Sequence, residues 1–276
     1  VRELRFTQVD VFSAVPLGGN PVAVVHDADD LTAGQMQRFA AWTNLSETTF
    51  LLRPTTPEAD YRVRIFTTRG ELPFAGHPTL GSARAWAEAG GTPRRPGVIV
   101  QECGAGPVEV RCTGSALAFA APPLTRRGPL APDLLARVLE GLGVGAGDVV
   151  ASSHLVNGPE WVVVRLADAA GVLQLAPDPG PLAGLAVGVV GAHPEGHEAA
   201  VEVRAFVGEG ATFVEDPVTG SLNAAIGQWL SDLPDRYVAA QGVAVGRAGR
   251  VRVEREDGRV WVGGDTEVVL RGTAAF

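Results

Sequence analysis

Two segments of the chain, Pro78–Ala89 (PTLGSARAWAEA) and Ser221–Ser231 (SLNAAIGQWLS), are small and apolar nearly all the way round. A helix with no wet face is enclosed by other structure. The remainder of the chain is suited to do the enclosing. Short β-branched runs are punctuated by 35 Gly and 20 Pro in 276 residues, the pattern of strands separated by turns. The sequence therefore predicts sheet curled around each helix. The two segments also share a context. Arg64-x-Phe66, a loop and Gly76-His77 precede the first; Arg204-x-Phe206, a loop and Gly220-Ser221 precede the second. The two glycines are 144 residues apart, 76 to 220, about half the chain, and Trp86 and Trp229 follow them at 10 and 9 residues. This is the signature of an internal duplication: two similar lobes, each a sheet around a central helix.

Strands are expected at Leu4–Phe12, Val22–Val25, Tyr61–Phe66, Val98–Gln101, Val108–Cys112 and Ala116–Ala120 in the first half. The second half adds Val149–Ser153, Trp161–Leu166, Ala186–Val190, Val201–Phe206, Arg250–Glu256, Arg259–Gly263 and Glu267–Leu270, with Asp257-Gly258 as a hairpin turn. Two outer helices are expected. One runs from Leu31 to Trp42, capped by Asp30, with Leu31, Met36, Phe39 and Ala40 inward. The other spans Pro132–Leu142. The Pro-, Arg- and Gly-rich bridge from Pro122 to Pro132 suits a lobe boundary. The expected lobes are residues 1–126 and 127–276, with the final strand able to cross to the first lobe.

Composition excludes several functions. Hydrophobic residues make up 46% and charged residues 20%, which can bury a real core. The net charge is −8, so there is no basic field for a nucleic-acid backbone or an anionic membrane surface. All 23 basic residues are Arg, so Schiff-base, pyridoxal-phosphate and P-loop lysine chemistry is unavailable. The two cysteines, Cys103 and Cys112, form no CxxC and fit a reducing cytosol. No apolar run is long enough to span a bilayer as a helix, and the first ten residues show no signal-peptide core. A cytoplasmic location is the expectation.

Four places carry candidate chemistry. The helix starts at Gly76-His77-Pro78 and Gly220-Ser221 offer unsatisfied amides and partial positive charge, the makings of a carboxylate or phosphate grip. Asp216, held extended by Pro217, returns beside the second helix start and can handle a proton. Glu47, in Asn44-Leu45-Ser46-Glu47-Thr48-Thr49-Phe50, sits where a helix gives way to an apolar strand. Such a setting raises a carboxylate's pKa toward neutrality. Taken singly, each also reads as an ordinary capped helix, Asp-Pro turn or surface Glu. His193-Pro-Glu-Gly-His197 cannot present its two histidines from a helix, and HExxH, GxSxG and a correctly spaced dinucleotide glycine motif are missing.

Several co-ordered motifs resemble one family along essentially the whole chain. They are Gly18-Gly19-Asn20-Pro21, Asn44 to Thr48, Arg64-Ile65-Phe66-Thr67, Glu71-Leu72-Pro73-Phe74-Ala75-Gly76-His77-Pro78-Thr79, Asn157-Gly158-Pro159, Glu215 to Ser221, and Gln241-Gly with Gly246-Arg247 and Val262-Gly263-Gly264. The chain resembles the phenazine-biosynthesis isomerase-like (PhzF-like) family of the diaminopimelate-epimerase-like fold. The resemblance implies an α+β fold of two pseudo-symmetric lobes, each a mixed β-barrel around a central helix, with the active site between them. It implies a cofactor-free, metal-free isomerase that acts on a small carboxylate substrate and forms a homodimer. By the same resemblance Glu47 relays the proton, His77, Asp216 and Ser221 assist it, and Asn20 lies in the site; the helix-start amides add Gly76 and Gly220 as expected substrate-binding residues. Epimerases of this fold use two cysteines, one before each helix glycine, where this chain has Ala75 and Thr219. A two-thiol racemase is thus disfavoured against a single-carboxylate proton shift. The implied reaction moves a proton next to a carboxylate on a small cyclic or unsaturated acid, as in dihydro-hydroxyanthranilate isomerisation. The alternatives are a non-catalytic small-carboxylate binding protein and an amino-acid epimerase without catalytic cysteines.

Overall fold

A computed structural model describes residues 2–209 and 212–276. Contacts group the chain into two units, Val1–Ala120 with Gly263–Phe276, and Ala121–Val262. The first unit contains β1 (Glu3–Val11), β2 (Asn20–Val25), α1 (Ala33–Thr43), β3 (Glu47–Leu52), β4 (Tyr61–Thr67), β5 (Glu71–Leu72), α2 (Gly76–Glu88), β6 (Val98–Cys103), β7 (Gly106–Thr113) and β8 (Ala116–Ala120). The second contains β9 (Arg126–Gly128), α3 (Pro132–Leu142), β10 (Val149–Val156), β11 (Glu160–Asp168), α4 (Ala169–Leu173), α5 (Pro179–Leu182), β12 (Ala186–Ala192), β13 (Val201–Glu209), β14 (Thr212–Asp216), α6 (Gly220–Trp229), β15 (Arg236–Gln241) and β16 (Gly249–Glu256). The last strand, β17 (Arg259–Ala275), begins in the second unit and ends in the first.

In the first unit β1 pairs antiparallel with β2, β2 runs parallel to β3, β3 antiparallel to β4, and β4 parallel to β6. Antiparallel pairs β6–β7 and β7–β8 follow, then β8 with β17, and β17 returns to β1. These eight strands close a barrel, which leaves no open edge. Helix α2 fills it. Residues Gly76 to Ala83 and Ala85 are all buried, which is why the first turns of this helix carry no charged side chain, while Arg84 and Glu88 pair with each other at its outer end. Its buried hydroxyls bond to the wall: Ser82 Oγ donates to Thr49 Oγ1 (2.9 Å), and Gln101 Nε2 donates to Thr79 Oγ1 (2.9 Å). Helix α1 lies outside on β3 and β4, with Met36 and Ala40 in a core cluster with Leu31, Phe50 and Phe66.

The second unit repeats the plan. β10 pairs antiparallel with β11, β11 is parallel to β12, β12 antiparallel to β13, β13 parallel to β15, and β15 antiparallel to β16. Every residue of α6 except Ser221 and Gln228 is buried. Helix α3 packs Val138, Leu139 and Leu142 against β11, β12 and β13 in a separate core cluster. The Arg-x-Phe repeat becomes the same device twice. Arg64 forks onto Glu71 at 2.7 and 2.6 Å and lies 5.1 Å from the Phe66 ring centroid. Arg204 forks onto Glu215 at 2.9 and 2.8 Å and lies 5.0 Å from that of Phe206. Each pairs a bidentate ion pair with a cation–π contact.

Two expectations are corrected. The cap of α1 is Thr32, not Asp30: Thr32 Oγ1 accepts from the Gln35 amide and Gln35 Oε1 accepts from the Thr32 amide, a reciprocal capping box. Asp30 instead pairs with Arg2 at 2.5 Å. The two strands expected at Arg259–Gly263 and Glu267–Leu270 are one, β17. Gly263 does not break it, because the glycine answers a close approach: a Cβ there would stand 2.2 Å from the Leu117 carbonyl oxygen. The sequence pattern also left β5, β9, β14, β15, α4 and α5 unassigned. Among the described residues, no helix is long and apolar enough to cross a membrane.

Candidate active site

In the first unit three elements bring candidate residues together. Glu47 is the first residue of β3, His77 the second of α2, and Asn20 the first of β2. His77 Nε2 lies 3.4 Å from Glu47 Oε2, with both side chains largely buried. The imidazole hydrogen-bonds the Pro21 backbone. Nε2 makes no hydrogen bond, so that bond comes from Nδ1–H, and the bare Nε2 faces the carboxylate. Burial lowers the His77 pKa from 6.5 to about 3, opposed by the bond to Pro21. His77 is therefore a neutral imidazole with a fixed tautomer. Asn20 is fully buried. Gly76 opens α2, whose cap residue, Ala75, makes no side-chain cap hydrogen bond.

In the second unit the expected turn places Asp216 at the end of β14 and beside the start of α6. Its Oδ2 accepts from the hydroxyl of Thr219, the cap residue, at 2.5 Å. Gly220 and Ser221 are the first two residues of α6. Ser221 Oγ accepts from the Trp161 indole N–H at 3.2 Å, and its carbonyl accepts from Asn157 Nδ2 at 2.8 Å. Gln241 and Asn223, both fully buried, tie the turn to the helix. The sequence reading gave no role to Thr219, Asn223, Trp161 or Gln241. A signal for Gln241 was present: Gln101 and Gln241 are 140 residues apart, the same offset as Arg64 and Arg204.

Other candidates are occupied elsewhere. His193 and His197 stack at 3.9 Å, and His193 Nε2 bonds Glu202 Oε2 at 3.0 Å. Cys103 and Cys112 lie on β6 and β7, and burial pushes both thiols up, away from nucleophilic thiolate. A groove of about 580 Å³ in the second unit, lined in part by Arg127, Gln228, Arg255 and Arg259, contains none of the candidate residues.

Residues 9–276 match the model of the family described as phenazine biosynthesis-like protein. Antisense-enhancing sequence 1 of Schizosaccharomyces pombe is 35% identical, with 98% of each chain covered. An uncharacterized isomerase of Mesorhizobium japonicum is 36% identical over 89% of this chain and 88% of its own. The trans-2,3-dihydro-3-hydroxyanthranilate isomerase of Pseudomonas aeruginosa is 57% identical over 81 residues, 29% of each chain. Among solved structures, a PhzF-family protein of Bacillus anthracis superposes with a TM-score of 0.83 over the whole of both chains at 21% identity. A hydroxyproline epimerase of Agrobacterium vitis superposes at 0.64, with 12% identity over 99% of this chain and 92% of its own, and shares the fold. A doubled barrel-and-helix plan and a family match over nearly the full length agree, and the chain belongs to the phenazine biosynthesis-like protein family, as an isomerase.

Proposed function

We propose that the protein catalyses a cofactor-independent proton shift next to the carboxylate of a small cyclic or unsaturated acid. The chemistry is of the kind named for the dihydro-hydroxyanthranilate relative. The observation that carries this reading is the Glu47–His77 pair. A carboxylate and a neutral imidazole, 3.4 Å apart and out of bulk water, offer two lone-pair sites for one proton. Glu47 removes the proton from one carbon and returns it to another. His77, held by Pro21, keeps its bare nitrogen toward the carboxylate and orients that proton. Asn20, Gly76 and Gly220 are assigned to substrate binding. Asp216 and Ser221 are assigned to assisting the reaction, the first as a held carboxylate and the second as a hydroxyl donor.

The test is deuterium wash-in from solvent, read by mass spectrometry, on trans-2,3-dihydro-3-hydroxyanthranilate and a panel of small unsaturated acids. Glu47→Gln keeps size and most hydrogen bonding but cannot take the proton. It should lower exchange by at least about 10²–10⁴-fold, the contribution of a general acid–base group, with an unchanged melting temperature. Near-normal exchange in E47Q would show that another group moves the proton. Tight binding of such acids with no exchange by the wild type would make the protein a binder.

A further inference from the structure

The Gln241 side chain has one permitted orientation. The Thr219 backbone N–H can only donate, so its partner at 3.1 Å is Oε1; the Asp216 carbonyl can only accept, so its partner at 3.0 Å is Nε2. Asn223 Nδ2 reinforces this by donating to Oε1 at 3.0 Å. With the amide so fixed, Nε2 also donates to Thr219 Oγ1 at 2.9 Å. That bond occupies a lone pair of the hydroxyl and directs its proton to Asp216 Oδ2, 2.5 Å away. The strand end that carries Gln241 lies directly on the turn: a Cβ on Gly242, at φ +103°, would stand 2.6 Å from the Pro217 carbonyl oxygen.

The duplication supplies an internal control. At the 140-residue offset Gln241 corresponds to Gln101, and at the 144-residue offset of the helix starts Asn223 corresponds to Thr79. The Gln-to-helix bond is kept, since Gln101 Nε2 donates to Thr79 Oγ1. The positions matching Asp216 and Thr219 are Leu72 and Ala75, which can neither accept nor donate through a side chain. A tie from strand to helix is therefore common to both units, whereas the hydroxyl–carboxylate branch exists in one. Folding the motif does not require that branch.

We infer that Thr219 is a positioning residue that holds the Asp216 carboxylate, with Gln241 setting the direction of its hydroxyl. This rests on the proposed role of Asp216. The test measures exchange kinetics for T219V, T219S, Q241E, D216N and the T219V/D216N double variant. T219V keeps the shape and loses the hydroxyl, and should lower kcat about 10- to 100-fold, the range for a hydrogen bond to a charged group, with KM within about twofold. T219S should recover most of the loss, and Q241E, which cannot donate, should resemble T219V. In the double variant T219V should add nothing to D216N, because the partner is already changed. Losses that multiply, or T219V at wild-type kcat, would overturn the inference. If T219V fails to fold, T219A replaces it with the same expectations. If D216N alone keeps full exchange, the proposed role of Asp216 fails. A crystal structure of T219V then decides separately: the Asp216 carboxylate should leave its place beside α6, and one that stays put refutes the positioning role.

Discussion

The two histidines buried in the first unit set a pH dependence whose sign follows from their surroundings. Burial, with help from Arg5 and against Asp27, lowers the His26 pKa to about 4, while Thr7 Oγ1 meets its Nε2 at 2.8 Å. Burial lowers that of His77 to about 3. In the unfolded chain both return to about 6.5. Above that pH neither state carries the proton and the stability is full. As the pH falls through 6.5, the unfolded chain takes up protons that the fold refuses, so stability is lost from about 6.5 down toward 4, and toward 3 for His77. Urea denaturation should show a lower midpoint at pH 5 than at pH 7.5. H26Q, which cannot titrate at that position, should flatten the slope without removing it. An equal midpoint at both values would mean that the imidazoles are reached by solvent in the fold.

At the scale of elements, the α1 cap separates a local signal from its neighbour. Asp30 and Thr32 both have side chains that can cap, but only Thr32 has Gln35 three residues on, so only Thr32 closes a reciprocal box. T32A should destabilise the protein by about 1 kcal/mol, whereas D30A, which removes an exposed pair with Arg2, should leave the melting temperature nearly unchanged. The reverse order would restore Asp30 as the cap. The duplicated arginines make a second contrast. The Arg204 and Glu215 side chains are 7% and 11% exposed, against 28% and 41% for Arg64 and Glu71. Arg204 also donates to the carbonyls of Val172 and Leu175. R204A strands a buried carboxylate and should cost about 3–5 kcal/mol; R64A should cost much less, because water can replace the lost partner. Thermal melts of the two variants check the order.

For the whole molecule, the last fourteen residues are decisive for the first unit. They close its barrel by pairing with both β1 and β8, and Phe276 packs at 4.8 Å on Phe39. Ending the chain after Val262 would open two strand edges at once and uncover that cluster. The truncated protein should be insoluble, or should lose amide protection throughout β1 and β8. A soluble product with β1 still protected would show that the barrel holds without its closing strand.

The sequence by itself determined the duplication and the enclosed helices, because a helix with apolar residues on every side has one physical solution, to be surrounded. It also determined α3 to the residue, since its spacing and its Pro at the start are local properties, and it put forward Glu47, His77, Asp216 and Ser221 as candidates through family resemblance and helix-start logic. What it could not yield depended on partners distant in the chain. Gly263 read as a break because the Leu117 carbonyl that requires it is 146 residues away, 117 to 263. The pairing of Glu47 with His77, the fixed tautomer set by Pro21, and the Gln241–Thr219–Asp216 relay all join residues from different elements. Only the folded sheets bring these within hydrogen-bonding distance; there burial lowers the imidazole's pKa, and the Thr219 N–H and Asp216 carbonyl leave the Gln241 amide one orientation.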